Sequence, residues 1–215
     1  NEPADVTRGA GFQFAADAKA INPDITIDML RWGEPKWVTD AFVISQEHGL
    51  RARYRWYKET LDAAYAVYGL KFDYISADQN ETDTPDEAWI LYLLDNEKNA
   101  PYDYSKIKLI ASDEVGTRNI AEQMVDNSVL RNAVDVIGLH YTTFGDSYTN
   151  LLNEAYGKEI WYSEGIAPCN VPELTVQADE SGLVGKNGPI DVANRIINSR
   201  QLPLTMTVPA MPRSS

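Results

Sequence analysis

The feature that most constrains the fold of this chain is a short buried segment that ends abruptly in polar residues and is followed by a helix start. Aromatic and β-branched residues fill the first half of residues 72–81, and polar residues gather at its end. Such weak alternation is typical of a parallel strand that is buried on both faces. Thr84 and Glu87 fit a capping box, with Pro85 at the first helical position. Asn80 and Glu81 are therefore predicted to lie on a strand-to-helix loop.

A second segment repeats this pattern 83 positions later. Residues 158–165 form another short apolar stretch, which ends in Glu164 and is followed by Gly165. If both strands belong to one parallel sheet, their carboxyl ends share one edge, and Glu81 and Glu164 face the same site. Glycoside hydrolysis needs two such carboxyl groups facing each other. The sequence therefore predicts a glycosidase with Glu81 and Glu164 as its catalytic pair.

Further strand and helix patterns extend this organisation along the chain. Strands are predicted at residues 25–31, 107–111 and 134–139, and helices at 11–21, 51–68, 85–95, 117–130, 148–156 and 189–197. Each strand ends in polar or aromatic residues, namely Trp32, Glu81, Asp113, His140 and Glu164. Repeated βα units with such ends indicate an α/β fold, a partial (β/α)₈ barrel of the TIM type.

Only about five βα units are readable, whereas a complete barrel typically needs about 250 residues. The expected domain is an incomplete barrel over residues 1–200, followed by an atypical tail over 201–215. Prolines interrupt that tail where a last strand would be expected, and a central strand does not tolerate them. Unpaired strand edges need cover, so the barrel is expected to be completed by the tail or by a second copy of the chain.

Charge and composition narrow the possible partners. The net charge of −13 argues against nucleic acid, because phosphate binding needs clustered Lys and Arg. No apolar run approaches the roughly 18 residues of a membrane span. Cys169 is the only cysteine and the two histidines lie far apart, so we expect no metal and no cofactor. Residues 1–4 resemble no signal peptide, which leaves the compartment open, a secreted or periplasmic location included.

Each of four further residues at the strand ends has two possible interpretations. Trp32 lies on a Gly/Pro loop, where sugar stacking is favoured over core packing. His140 and Tyr141 fit equally a buried core histidine with a lid residue, or a pair that orients Glu164 and the sugar hydroxyls. Asn80 precedes Glu81 in an Asn-Glu-Thr sequence that also matches a glycosylation acceptor, which we interpret as coincidence because a glycan would block the site.

The order and spacing of several motifs resemble glycoside hydrolase family 59, the galactocerebrosidases, within the clan of retaining glycosidases built on (β/α)₈ barrels. The resemblance covers roughly residues 11–198. It is carried by Asn-Pro-Asp-Ile-Thr at 22–26, Trp32 with Pro35 and Trp37, Phe-Asp-Tyr-Ile at 72–75, Asn80-Glu81, Ile-Ala-Ser-Asp at 110–113, Val-Asp-Val-Ile-Gly at 134–138 with His140-Tyr141, and Trp-Tyr-Ser-Glu at 161–164. The family usually has Trp before Asn-Glu, where this chain has Gln79.

The resemblance implies roles for individual residues. Glu81 corresponds to the acid/base and Glu164 to the nucleophile, Trp32 to a residue lining the galactose pocket, and Asn80 to the residue that binds the sugar 2-hydroxyl. The implied activity is hydrolysis of a β-galactoside or glycolipid. Two alternatives stay open: an inactive or merely sugar-binding fragment, and a related β-glucosidase or glucosylceramidase.

Overall fold

The computed structural model describes residues 4–81, 86–96, 99–100, 102–103, 106–115, 119–140 and 145–164. These residues fall into two compact units, one drawn from residues 1–80 and 86–110, the other from 81–85 and 111–215. Several predictions lie outside the described residues: the helix start at Thr84 and Pro85, Tyr141, the helix at 189–197 and the tail at 201–215.

A five-stranded parallel sheet forms the framework of the fold. Its strands are β1 (Asp28–Arg31), β2 (Tyr74–Gln79), β5 (Lys108–Val115), β6 (Val136–His140) and β7 (Glu159–Glu164). They are hydrogen-bonded in the order β1-β2-β5-β6-β7. A small antiparallel pair, β3 (Asn99–Ala100) and β4 (Tyr102–Asp103), forms a separate sheet. Parallel strands that are neighbours in chain order, with helices between them, confirm the predicted class, an α/β fold with five strands of a TIM-type barrel.

The helices of the first unit are α1 (Ala10–Ile21), α2 (Lys36–Ile44), α3 (Gln46–Tyr68) and α4 (Glu87–Asn96). Helix α2 was not predicted, because the Gly and Pro residues before it indicated a longer loop. Ser45 ends α2 and caps α3, where its side chain accepts the backbone N–H of His48. His48 therefore lies in the first turn of α3 and not in a loop. Gly69 ends α3 in the left-handed conformation, as expected of a C-cap.

The helices of the second unit are α5 (Asn119–Asp126), α6 (Ser128–Ala133) and α7 (Ser147–Tyr156). One helix was predicted over 117–130, but the structure has two. They are separated at Asn127, whose side chain accepts the N–H groups of Val129 and Leu130 and so caps α6. Asp146 and Thr149 form a capping box at the start of α7.

Each unit has an apolar core beneath its strands. Every residue of β6 is buried, as expected of a strand covered on both faces. In the second unit the largest fully buried apolar side chains are Ile120, Met124, Leu130, Ile137, Leu139, Leu152 and Ile160. None of the helices in the described part of the chain has the length and apolar character needed to cross a membrane.

Candidate active site

Glu81 follows β2 in a backbone conformation that most residues avoid. Its φ is 56°, in the left-handed region, and its N–H donates to the carbonyl of Asp113 at 2.9 Å. Asp113 is also left-handed, with φ of 44°, although it lies within β5. Non-glycine residues in this region cost about 1–3 kcal/mol, persist only where the surroundings enforce them, and cluster at functional sites.

Glu164 is the last residue of β7. This strand pairs in parallel with β6, and the register shifts between Leu139 and His140 so that Glu164 lies opposite His140. The Glu164 side chain is 28% exposed and that of Glu81 is 31% exposed. Both carboxylates are therefore partly desolvated while remaining accessible from outside, as groups that act on a substrate must be.

His140 lies between the two glutamates and is itself almost fully buried. Its Nδ1 atom is 3.6 Å from Glu81 Oε1 and 3.7 Å from Glu164 Oε2. One ring nitrogen of His140 and one carboxylate oxygen from each glutamate all lie within 4.8 Å of one another. The sequence-predicted catalytic pair is thus brought together with His140, and all three residues belong to the second unit.

The opposite edge of the imidazole faces a buried carboxylate. His140 Nε2 is 3.2 Å from Asp113 Oδ1, and both side chains are 1% exposed. The same oxygen accepts the hydroxyl of Ser163 at 2.6 Å. Gly138 lies between these groups in β6, and its missing side chain leaves the necessary space, since a Cβ there would be 2.0 Å from Asp113 Oδ1.

These neighbours determine the protonation of His140. Burial alone would lower its pKa, but the hydrogen bond and charge of Asp113, then the charge of Glu164 and the hydrogen bond to Glu81, raise the pKa above the ordinary 6.5. The net shift of the His140 pKa is therefore upward. These neighbours therefore favour the charged form of His140 more than water does, with Nε2 directed at Asp113 and Nδ1 facing both Glu81 and Glu164.

Trp32 and Asn80 belong to the first unit and are described there by themselves. Trp32 directly follows β1 and is 69% exposed, so it does not pack in the core of that unit. The backbone N–H of Asn80 donates to the carbonyl of Arg31 at 2.8 Å. Its side-chain Oδ1 is buried and has no hydrogen-bond partner among the described residues. Tyr141 lies outside those residues.

A buried ion network holds the segment that carries Trp32. Arg31 donates to Glu34 at 2.8 Å, and Arg53 donates to both oxygens of the Glu34 carboxylate. Both arginines also contact Asp86. The guanidinium of Arg53 lies 4.4 Å from the ring centre of Phe42, a cation–π contact. The loop between β1 and α2 is thus held to Arg31 and Arg53 through the carboxylate of Glu34.

Sequence reasoning missed part of this arrangement. The sequence predicts Asp113 only as the polar end of a strand, and Ser163 only as part of the Trp-Tyr-Ser-Glu motif, without a role in the site. The signal for Asp113 was its place after an apolar strand, shared with Glu81 and Glu164. The ligand atoms of Glu81, His140 and Glu164 are also near enough to meet at one cation. An imidazolium facing two carboxylates accounts for the same geometry, and we assign no metal to it.

Comparison with known proteins places these observations in context. The family model of Glycosyl hydrolase family 59 matches residues 1–207. The galactocerebrosidase of Danio rerio is 28% identical over 172 residues, which are 76% of this chain and 23% of that protein. Those of Mus musculus and Homo sapiens are 29% and 27% identical, over 76% of this chain and 22% of each protein.

The chain thus spans less than a quarter of the length of these curated relatives. Among solved structures, SrfJ from Salmonella typhimurium aligns with a TM-score of 0.60 at 14% identity, over 92% of this chain and 46% of that one. At this identity the likeness concerns the fold alone.

Proposed function

Because the chain belongs to glycosyl hydrolase family 59, we propose that it is a retaining β-glycoside hydrolase that acts on β-galactosides. Glu81 is the acid/base and Glu164 the nucleophile. Membership of a family of glycoside hydrolases gives the reaction class, and the arrangement of side chains at the ends of β2 and β7 supports the roles.

The observation that carries the proposal is the spacing of the two carboxylates. One carboxylate oxygen of Glu81 and one of Glu164 lie within 4.8 Å of each other. Retaining enzymes hold their carboxyl groups about 5–5.5 Å apart, whereas inverting enzymes need about 6.5–9.5 Å to admit a water. The separation therefore supports attack by a carboxylate over attack by water.

In the first step, Glu164 attacks the anomeric carbon while Glu81 protonates the glycosidic oxygen. The bond to the leaving group breaks, the aglycone departs as an alcohol, and the sugar becomes an ester of Glu164. In the second step, Glu81, now a carboxylate, takes a proton from water, whose oxygen attacks the anomeric carbon. The sugar leaves with its original configuration, and both glutamates return to their starting forms.

The preference for galactose rests on the relatives and on two residues of the first unit. The curated relatives bear the name galactocerebrosidase. Trp32 offers an exposed indole face on which a sugar ring can stack. The buried Oδ1 of Asn80 is an acceptor suited to a sugar hydroxyl. We assign these two residues to substrate binding, with the sugar 2-hydroxyl as the partner of Asn80.

Hydrolysis of nitrophenyl β-galactoside and nitrophenyl β-glucoside, measured side by side, tests the substrate. The proposal predicts faster turnover of the galactoside. Faster turnover of the glucoside would replace galactose by glucose in the proposal, and a folded protein that hydrolyses neither would support the inactive or sugar-binding alternative. Glu164→Gln should abolish hydrolysis, whereas Glu154→Gln, an exposed acid-to-amide change on α7, should not.

Azide rescue separates the roles of the two glutamates. In Glu81→Ala the glycosyl-enzyme still forms from a substrate with a good leaving group, and azide then displaces Glu164 to give the β-galactosyl azide. In Glu164→Ala azide takes the place of the nucleophile and gives the α-galactosyl azide. The reverse assignment of products would exchange the two roles, and no azide product from either variant would contradict the two-glutamate mechanism.

A further inference from the structure

We propose that Asp113 is a positioning residue that, together with Ser163, holds the imidazole of His140 so that its Nδ1 edge faces both Glu81 and Glu164. The inference deepens the proposed function and rests on it, because the glutamates are taken as the catalytic pair. Asp113 does not touch the substrate in this proposal; it acts through His140.

The contacts of Asp113 favour a role in orientation. Oδ1 of its carboxylate lies 3.2 Å from His140 Nε2 and 2.6 Å from the Ser163 hydroxyl. Asp113 and His140 are both 1% exposed, so water does not compete for this contact. A buried carboxylate that receives one ring N–H fixes both the tautomer and the direction of the other ring nitrogen, as it does in other sites where a histidine is oriented by an acid.

The backbone of Asp113 gives an independent indication. A φ of 44° within a β-strand is strained for a residue other than glycine, and such strain persists where the structure enforces it. The carbonyl of this same strained residue accepts the N–H of Glu81 at 2.9 Å. Asp113 therefore contacts Glu81 through its backbone and His140 through its side chain.

Three neighbouring strands supply one residue each to this contact. Asp113 comes from β5, His140 from β6 and Ser163 from β7, and Ser163 directly precedes Glu164. The space for the contact exists because Gly138 has no side chain; a Cβ there would lie 2.7 Å from Ser163 Oγ. A carboxylate needed only for core packing would not require a glycine across the adjacent strand.

This arrangement matters at both steps of hydrolysis. Before reaction, the Nδ1 edge of His140 faces one oxygen of Glu81 and one of Glu164, and it holds both carboxyl groups within reach of one sugar. After Glu164 becomes an ester, Glu81 carries the negative charge, and the same edge of the ring remains opposite it. If Asp113 loses its charge, the imidazolium is stabilised less, and a neutral ring that keeps its proton on Nε2 presents the lone pair of Nδ1 to the carboxylates, which repels them.

The test is Asp113→Asn, with Asp126→Asn as a matched control. Asp126 is an exposed residue at the end of α5, so its variant loses the same charge away from the site. We expect kcat/KM for the nitrophenyl galactoside to fall by about 10- to 100-fold in Asp113→Asn, mainly through kcat, since misplacement of a catalytic group by about 1 Å can cost 100-fold. The control should change less than about twofold, an ordinary surface effect.

Nuclear magnetic resonance of the imidazoles measures the pKa of His140 and the protonation of its ring nitrogens. These would not change if Asp113 only stabilised the fold. The chain has two histidines, so His48→Gln assigns both sets of signals. In the parent protein the Nε2 proton of His140 should exchange slowly, and the ring should stay protonated to a higher pH than that of an ordinary histidine. In Asp113→Asn the His140 pKa should fall, while in Asp126→Asn it should not.

The parent spectrum tests the proposal even if Asp113→Asn does not fold, because a His140 without a proton on Nε2 would overturn it. Loss of activity in a folded Asp113→Asn variant whose His140 titration is unchanged would also overturn it. An Asp113→Asn variant that keeps the activity of an active parent would overturn it as well. Absence of hydrolysis in the parent would contradict the proposed function alone, since the spectra still show whether Asp113 orients His140.

Discussion

The glycine between Asp113 and Ser163 provides a sharp perturbation of the site without removing any charged group. In Gly138→Ala, the new Cβ would lie 2.0 Å from Asp113 Oδ1 and 2.7 Å from Ser163 Oγ. Ordinary contact begins at 3.4 Å, so the carboxylate oxygen would have to move by about 1.4 Å. That movement exceeds the tolerance of both hydrogen bonds that this oxygen makes, one with Ser163 and one with His140.

Two consequences follow from this displacement. Overpacking in a filled interior costs about 1–3 kcal/mol, so the free energy of unfolding should fall by that amount. The displaced Asp113 would release His140, and kcat/KM should fall by about 100-fold, the effect of about 1 Å of misplacement. Urea denaturation measures the first effect and hydrolysis of nitrophenyl β-galactoside the second.

Gly11→Ala is the matched control for this substitution. Gly11 lies in α1, and a Cβ there meets nothing within 4 Å. The control should be neutral or stabilising by up to about 1 kcal/mol, because alanine favours the helix. If Gly138→Ala keeps the stability and the kcat/KM of the parent, the close contact between β5, β6 and β7 is not as described, and the positioning argument is refuted.

Three further predictions concern charges and helix ends. Glu34→Gln should lower the free energy of unfolding by about 3–5 kcal/mol in urea denaturation, because it removes the buried carboxylate that pairs with both arginines and leaves them with the more exposed Asp86; a change below about 1 kcal/mol would contradict the buried network. His140 has a raised pKa, so the stability that its charge contributes is complete below 6.5 and is lost as pH rises through the folded value; the advantage of the parent over His140→Gln should therefore shrink as pH rises above 6.5, and a growing advantage would contradict the raised pKa. Asn127→Ala should cost about 1 kcal/mol, since its side chain caps α6, whereas Asn127→Asp should retain the cap; equal stability of both variants would argue against it.

Much of the framework could be predicted from the sequence, because apolar strands and helix signals are local. The ends of β2 and β7 place Glu81 and Glu164 as expected, since a parallel sheet brings its carboxyl ends to one edge. The strand order follows from the repeat of βα units, each neighbouring the next. The pattern therefore predicts the arrangement of the elements and the edge of the sheet at which Glu81 and Glu164 lie.

The details of the site depend on contacts that no local pattern contains. Strand β5 continues through Asp113 and Glu114, although acids are disfavoured in strands. The carboxylate of Asp113 pairs with His140, and the carboxylate of Glu114 accepts the backbone N–H of Asn119. The pairing of His140 with Glu164 requires a shift in strand register, which the alternation of residues does not encode.

The first unit also has features that local sequence patterns do not predict. Helix α2 begins directly after Pro35, where Gly33 and Pro35 had indicated a continuing loop. The ion network of Arg31, Glu34 and Arg53 joins residues from β1, the loop and α3, and such long-range charge pairing is set only by the folded chain. Residues distant in sequence thus determine how Trp32 is held.

The central claim is that Glu164 forms a covalent bond with the sugar. A 2-deoxy-2-fluoro-β-galactoside with a good leaving group slows the second step more than the first, so that the ester accumulates and can be located by mass spectrometry of proteolytic peptides. The account predicts one added fluorogalactosyl group on the peptide that contains Glu164, and its absence in Glu164→Gln. An unlabelled protein that still hydrolyses galactosides, or a label on another residue, would contradict it.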